Sequence, residues 1–322
     1  MTGTLTRPDD DRTATGALTA AAVLLDALTE RTEHLLAQEP GIREHAPDAV
    51  AAMRVDTREL RCILTGFRRC LDRARTDPIV ADLKWLGAEL ADERDTEVMA
   101  ERFAQVLDAL PHELVRGPVA ADLDEHLGQR VEENTRRILV TLNSARYAGL
   151  RQQLDELLTD PPFTERAGRA AREELPRGVA KAHRQLDQMI CSALRVEHEL
   201  ERADALHEAR KSAKRVHYMC EVAVPAVGKP AKRLRRTMRK LQGMLGEHQD
   251  AAVARPTLHC LGLQADRHGH SAFTYGVLYA AEHFRARDVE RALPTLVELL
   301  RAPDATNWLD PAWNGEQSRT AR

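Results

Sequence analysis

Between residues 206 and 240 the sequence sets eleven Lys or Arg residues against two acids, Glu208 and Glu221. The run over residues 207–218 has neither Pro nor Gly and predicts a helix. Leu206, Ala209, Ala213, Val216, Cys220 and Ala223 recur every third or fourth position and form one apolar stripe along it. His207, Arg210, Lys211, Lys214 and Tyr218 fall within roughly 100° of arc elsewhere on the wheel, with Arg215 at the edge. A helix of this kind has to bury one face among other helices while the other carries one sign of charge. Like charges three or four apart cost a few tenths of a kcal/mol per pair, so an occupant is expected. The next run repeats the device: Lys229, Lys232, Arg233, Arg236 and Lys240 share a face, with Leu234, Met238, Leu241 and Leu245 opposite. Two adjacent cationic faces make a site for a polyanion; the competing reading is a pair of solvated basic faces.

That charge is local. The whole chain of 322 residues has a net charge of −3, which excludes a globally basic nucleic-acid binder. Aromatic residues make up 4% of the chain, too few for a base-stacking platform. No apolar run reaches the length of a membrane span and the N-terminus lacks a leader pattern, so a soluble, cytoplasmic protein with no membrane partner is expected. Five cysteines without C-x-x-C spacing suit reduced, buried thiols.

Helical period dominates throughout, and no alternating strand pattern stands out. Helices are expected over 17–38, 48–75, 79–93, 95–110, 118–141, 143–159, 164–200, 202–224, 229–247, 250–262, 268–287 and 288–300. Residues 1–16 and the tail 303–322 read as disordered. The clearest internal break is Asp160-Pro161-Pro162, and the two sides of it resemble each other. Val50 to Arg58 lines up with Leu206 to Lys214 at an offset of 156, and Leu90, Asp95 and Val98 line up with Leu245, Asp250 and Val253 at 155. A period this long marks a duplicated half, giving halves at 17–160 and 161–302. In the first, Arg54, Arg58, Arg61 and Arg68 lie within roughly 80° of arc. The expected fold is all-α: two helical bundles with long antiparallel helices, related by a pseudo-two-fold and facing each other across a basic groove.

These blocks resemble those of the CHAD family, the conserved-histidine α-helical domains. Val50-Ala51-Ala52-Met53-Arg54-Val55-Asp56-Thr57-Arg58-Glu59-Leu60-Arg61 follows the pattern V-H-x-x-R-V-x-x-R-R-L-R. The stretch from Leu206-His207-Glu208-Ala209-Arg210-Lys211 to Tyr218 follows L-H-x-x-R-K-x-x-K-R-x-R-Y, and Leu241-Gln242 to Asp250 follows L-Q-x-x-L-G-x-x-x-D. The resemblance covers residues 17–300 and implies binding of inorganic polyphosphate through basic residues of both halves, with polyphosphate granules as a candidate location. Ala51 departs from the pattern where the first histidine would stand. Glu59 and Asp56 also depart from it, but both point away from the Arg54–Arg58–Arg61 stripe. His217 replaces an arginine.

The reading is therefore a non-catalytic polyphosphate-binding protein using Arg54, Arg58, Arg61, His207, Arg210, Lys211, Lys214, Arg215, Tyr218, Lys229, Lys232, Arg233, Arg236 and Lys240. Arginine forks match phosphate oxygens and stay charged at every working pH. His207 reads as a phosphate donor, with a satisfied half-buried imidazole and a phospho-accepting one as alternatives. Neither a cofactor nor a metal is expected. His268-Gly269-His270 with His259 and Cys260 lacks metal-ligand spacing, and Asp250, Glu247 and Asp95 read as capping or inter-helix groups rather than Mg²⁺ ligands. A metal-dependent phosphohydrolase of polyphosphate or triphosphate, and a nucleic-acid binder using the same groove, remain as alternatives.

Overall fold

The computed structural model describes residues 17–310 and Ala312. It is all-α, as the periodicity predicts. The helices are α1 (Ala20–Arg43), α2 (Ala49–Gly66), α3 (Arg73–Glu89), α4 (Ala91–Ala109), α5 (Val119–Leu142) and α6 (Ala145–Thr159). After the Pro161-Pro162 break come α7 (Ala171–Ala193), α8 (Glu199–Val227), α9 (Lys229–Arg267), α10 (Phe273–Leu300) and the single turn α11 (Pro303–Thr306). Among the described residues the only β pairing is two isolated bridges, Thr19 with Ala170 and Leu71 with Phe163.

Local chemistry sets several of the ends. Thr19, Asp72 and Ser144 cap α1, α3 and α6, each side chain accepting from a first-turn backbone N–H. Gly228, at φ 78°, is the one residue between α8 and α9. A positive φ there suits only glycine, and it turns the chain so that α9 lies against α8.

Several expectations fail. The pattern over 48–75 does not continue as helix, because α2 stops at Gly66. Phe67 and Leu71 keep the helical spacing and are buried, but they reach the core from a turn pinned to Phe163. The breaks expected near residues 248 and 288 do not exist: α9 runs unbroken for 39 residues and α10 for 28. The tail is folded to Asp310, since Trp308 is 1% exposed and its indole N–H donates to Ala305 O at 2.8 Å. Residues 1–16 and Trp313 lie outside the described residues.

The core does not divide at Asp160. One cluster joins α1, α2, α3, α6, α7, α8, the start of α9 and the end of α10. A second is built from Met99, Phe103 and Val106 of α4, Val119, Leu123 and Leu127 of α5, and the facing ends of α9 and α10. Each cluster draws on both sides of the break. Cys62, Cys70 and Cys220 are buried free thiols as expected, Cys191 is half-buried, and Cys260 is exposed, contrary to expectation. Among the described residues no helix is long and apolar enough to cross a membrane.

Candidate functional site

Helices α2 and α8, which carry the repeated blocks, pack against each other. Beside their contact, α4 and α9 close a pocket of about 340 Å³. Its α2 wall is Ala51, Arg54, Val55 and Arg58; its α8 wall is His207, Arg210 and Lys214. Met99 and Arg102 come from α4, and Gln249, Asp250 and Val253 from α9. The α2 and α8 residues form matched pairs at the offset of 156: Ala51 with His207, Arg54 with Arg210, Arg58 with Lys214.

Several contacts position these groups. Arg54 donates from Nη1 to Ala91 O at 3.1 Å, fixing it to the start of α4. Gly246 lets α9 come close to Arg210, whose Nη2 would lie 3.4 Å from a Cβ at that position. Burial holds the His207 imidazole below its usual pKa, the Lys211 charge adds to this, and a hydrogen bond to Gln249 opposes it. Its Nδ1 is sealed from solvent without a partner among the described residues. Arg102 is already committed: Nε donates to both carboxylate oxygens of buried Glu282 at 3.0 Å, and Nη1 to Glu247 at 3.1 Å.

Five of the residues singled out in the sequence, Arg54, Arg58, His207, Arg210 and Lys214, meet in this pocket; the others do not line it. Arg61 turns toward α3, with Nη1 4.0 Å from the Cβ position of Gly87. Lys211 is ion-paired with Glu208 at 2.7 Å and, with Arg215, lines a separate groove of about 680 Å³ against α7. Arg215 also donates from Nη2 to Thr65 O at 3.0 Å. Tyr218 lines a small acidic recess with Arg31, Glu59 and Glu221, and reaches the pocket through a hydrogen bond with Arg58.

The five cations on α9 are exposed. At 1.5 Å per residue they lie roughly 15–32 Å along the helix from Asp250 and form a separate basic stripe. His217 is not a surface charge at all: it is buried between α8 and α9, with Nδ1 3.2 Å from Arg235 O.

The two acids of the first block behave as the helical wheel predicts, facing α1. His34 Nδ1 lies 2.7 Å from the Asp56 carboxylate, and Arg31 Nε lies 3.2 Å from Glu59. Burial pushes the Glu59 carboxyl up to about 7, against the pull of Arg31.

Sequence reasoning missed Met99 and Arg102 as pocket residues, since nothing in the α4 pattern shows which distant helix it faces. Asp250 and Gln249 were within reach, as they end the third motif block. Asp250 sits in the middle of α9, away from either helix end, and Glu247 makes an inter-helix ion pair with Arg102. The Asp95 side chain lies outside the described residues. His268 and His270 sit, exposed, in the turn between α9 and α10.

Two curated proteins from two strains of Mycobacterium tuberculosis, the uncharacterized proteins MT2285 and Rv2226, are 34% identical to this chain over 282 residues. The match takes in 86% of this chain and 52% of each of theirs, so the chain spans about half the length of these relatives. The solved structure of PptA from Streptomyces chartreusis shares the fold at a TM-score of 0.69 and 20% identity, over 87% of this chain and 99% of that one. The crystal structure of the CHAD domain from the plant Ricinus communis does so at 0.59 and 21%, over 94% of each chain. The CHAD domain family model matches residues 26–259, and with the three motif blocks folded onto α2, α8 and α9, this chain belongs to that family.

Proposed function

We propose that the chain binds inorganic polyphosphate, without cleaving it, in the pocket between α2 and α8 and along the basic stripe of α9. One observation carries this reading: Arg54, Arg58, Arg210 and Lys214, repeat-equivalent cations from two helices, converge with His207 on one pocket. Four permanent charges in one concavity attract a polyanion, and the two-pronged guanidinium geometry selects phosphate oxygens. The paired lining supports a pseudo-two-fold axis through the pocket. The family resemblance implies the same ligand. A cytoplasmic site, with polyphosphate granules as a partner, goes with this reading.

Titration calorimetry with long-chain polyphosphate, and with RNA at matched charge, tests it. Tight polyphosphate binding and weak RNA binding are expected. Charge reversal at Arg210 and Lys214 should weaken polyphosphate binding more than reversal at Arg54 and Arg58. The α2 side lacks an imidazole at Ala51, whereas the α8 side carries His207. Preference for RNA would overturn the reading in favour of a nucleic-acid binder. Phosphate release on incubation with Mg²⁺ would replace binding with hydrolysis.

A further inference from the structure

The pocket between α2, α4, α8 and α9 has a feature that a bare phosphate chain does not use. Ala51 and Val55 lie one turn apart on α2, Met99 comes from α4 and Val253 from α9, and all four line it. Helix α8 contributes only its imidazole and its two cations. Val55 and Val253 are 37% and 39% exposed, so two of the exposed large aliphatic side chains meet at one concavity. Apolar side chains scattered singly over a surface need no occupant, whereas several lining one pocket give an apolar ligand face something to lie against.

Ala51 is the repeat partner of His207, so the same position is polar on α8 and apolar on α2. The volume of about 340 Å³ falls within the range of roughly 300–1,000 Å³ usual for small-molecule sites.

We infer that this pocket takes a nucleoside polyphosphate, with the phosphates on the cations of α2 and α8 and the base against Ala51, Val55, Met99 and Val253. The inference rests on the polyphosphate reading for its phosphate half; the apolar wall is what adds the base. A purine or pyrimidine offers an uncharged face to the aliphatic side chains, and its ring edge offers donors and acceptors to the Gln249 amide.

The test is calorimetry of the full chain with ATP, with GTP and with sodium tripolyphosphate, free of divalent metal and at about 150 mM salt to screen remote charge. Tripolyphosphate has the same three phosphates and at least as much charge, so electrostatics alone makes it the equal or better ligand. ATP or GTP is expected to bind tighter than tripolyphosphate by about tenfold, or 1.4 kcal/mol. The double variant Val55→Ser/Val253→Ser changes two exposed side chains, and a thermal melt checks that it folds. It should bring the ratio of nucleotide to tripolyphosphate affinity close to one. Equal affinities in the parent, or a ratio the double variant leaves unchanged, overturns the inference. If long-chain polyphosphate binds while the ratio is already one, only this inference falls. Failure of all the phosphate ligands to bind overturns both readings.

Discussion

His207 and Ala51 occupy matching places on α8 and α2, and only the histidine can change its charge. Burial and the neighbouring Lys211 hold the free imidazole below its usual pKa, while a phosphate against it favours the protonated form. Binding therefore takes up protons between the two values, and polyphosphate affinity should rise as pH falls through that window and level off below it. Calorimetry in two buffers of different ionisation heat measures the uptake directly. His207→Ala should flatten the slope. Ala51→His should steepen it and tighten binding near pH 6 by about 0.5–1.5 kcal/mol, the scale of one hydrogen bond. Identical pH profiles for all three proteins would make the imidazole purely structural. His217 has no such part, because burial and its contact with a backbone carbonyl remove it from the surface. The sequence showed which side of α8 was cationic. It did not show that Lys211 and Arg215 turn toward α7, because a helical wheel separates faces and not the neighbours on either side of one face.

Among the helices, two glycines should respond in opposite ways to an added side chain. A Cβ on Gly178 of α7 would sit 3.0 Å from the Gly66 carbonyl oxygen and 3.1 Å from the Phe67 ring, so Gly178→Ala has to push α7 away from α2. Overpacking costs about 1–3 kcal/mol, against roughly 1 kcal/mol gained in helix propensity, and net destabilisation is expected in urea unfolding. Gly243, exposed on α9 with nothing within 4 Å, should gain stability on the same change. The α1–α2 contact is pH-dependent. With its carboxyl raised to about 7 by burial, Glu59 is protonated in the folded state but ionised in the unfolded one between its ordinary value and 7. Its stabilising protonation is complete below the unfolded value and is lost as pH rises through 7. Glu59→Gln should therefore gain on the parent in thermal melts between pH 6 and pH 8, where each 1 kcal/mol is worth roughly 2–4 °C. Helix existence was legible almost everywhere, and the orientation of Asp56 and Glu59 was readable from the period alone. The length of α9 was not. Gly243, Gly246 and Pro256 look like punctuation locally, and the packing of α9 against both α8 and α10 overrides them. The place of Trp308 was hidden for a similar reason, since only the assembled core offers it a slot.

For the molecule as a whole, the polyphosphate binding proposed above would have the pocket and the α9 stripe divide the labour by ligand length. A short phosphate reaches only the pocket, whereas a long chain can also neutralise the exposed cations further along α9. Reversing Lys232, Arg236 and Lys240 to Glu should thus weaken binding by a factor that grows with chain length, from little for tripolyphosphate to more than tenfold for long chains. The long-chain affinity of the parent should fall with salt at a log–log slope steeper than about −3, as for other multi-phosphate ligands. A flat salt response would contradict neutralisation of several phosphates and overturn this mode of binding. The interleaved core has a further consequence. The cluster built by α4, α5, α9 and α10 takes side chains from both sides of the turn at Asp160, whose own side chain is 80% exposed. Nicked there, the chain would become an obligate pair of fragments: each should fail to fold alone, and the two should reassemble when co-expressed.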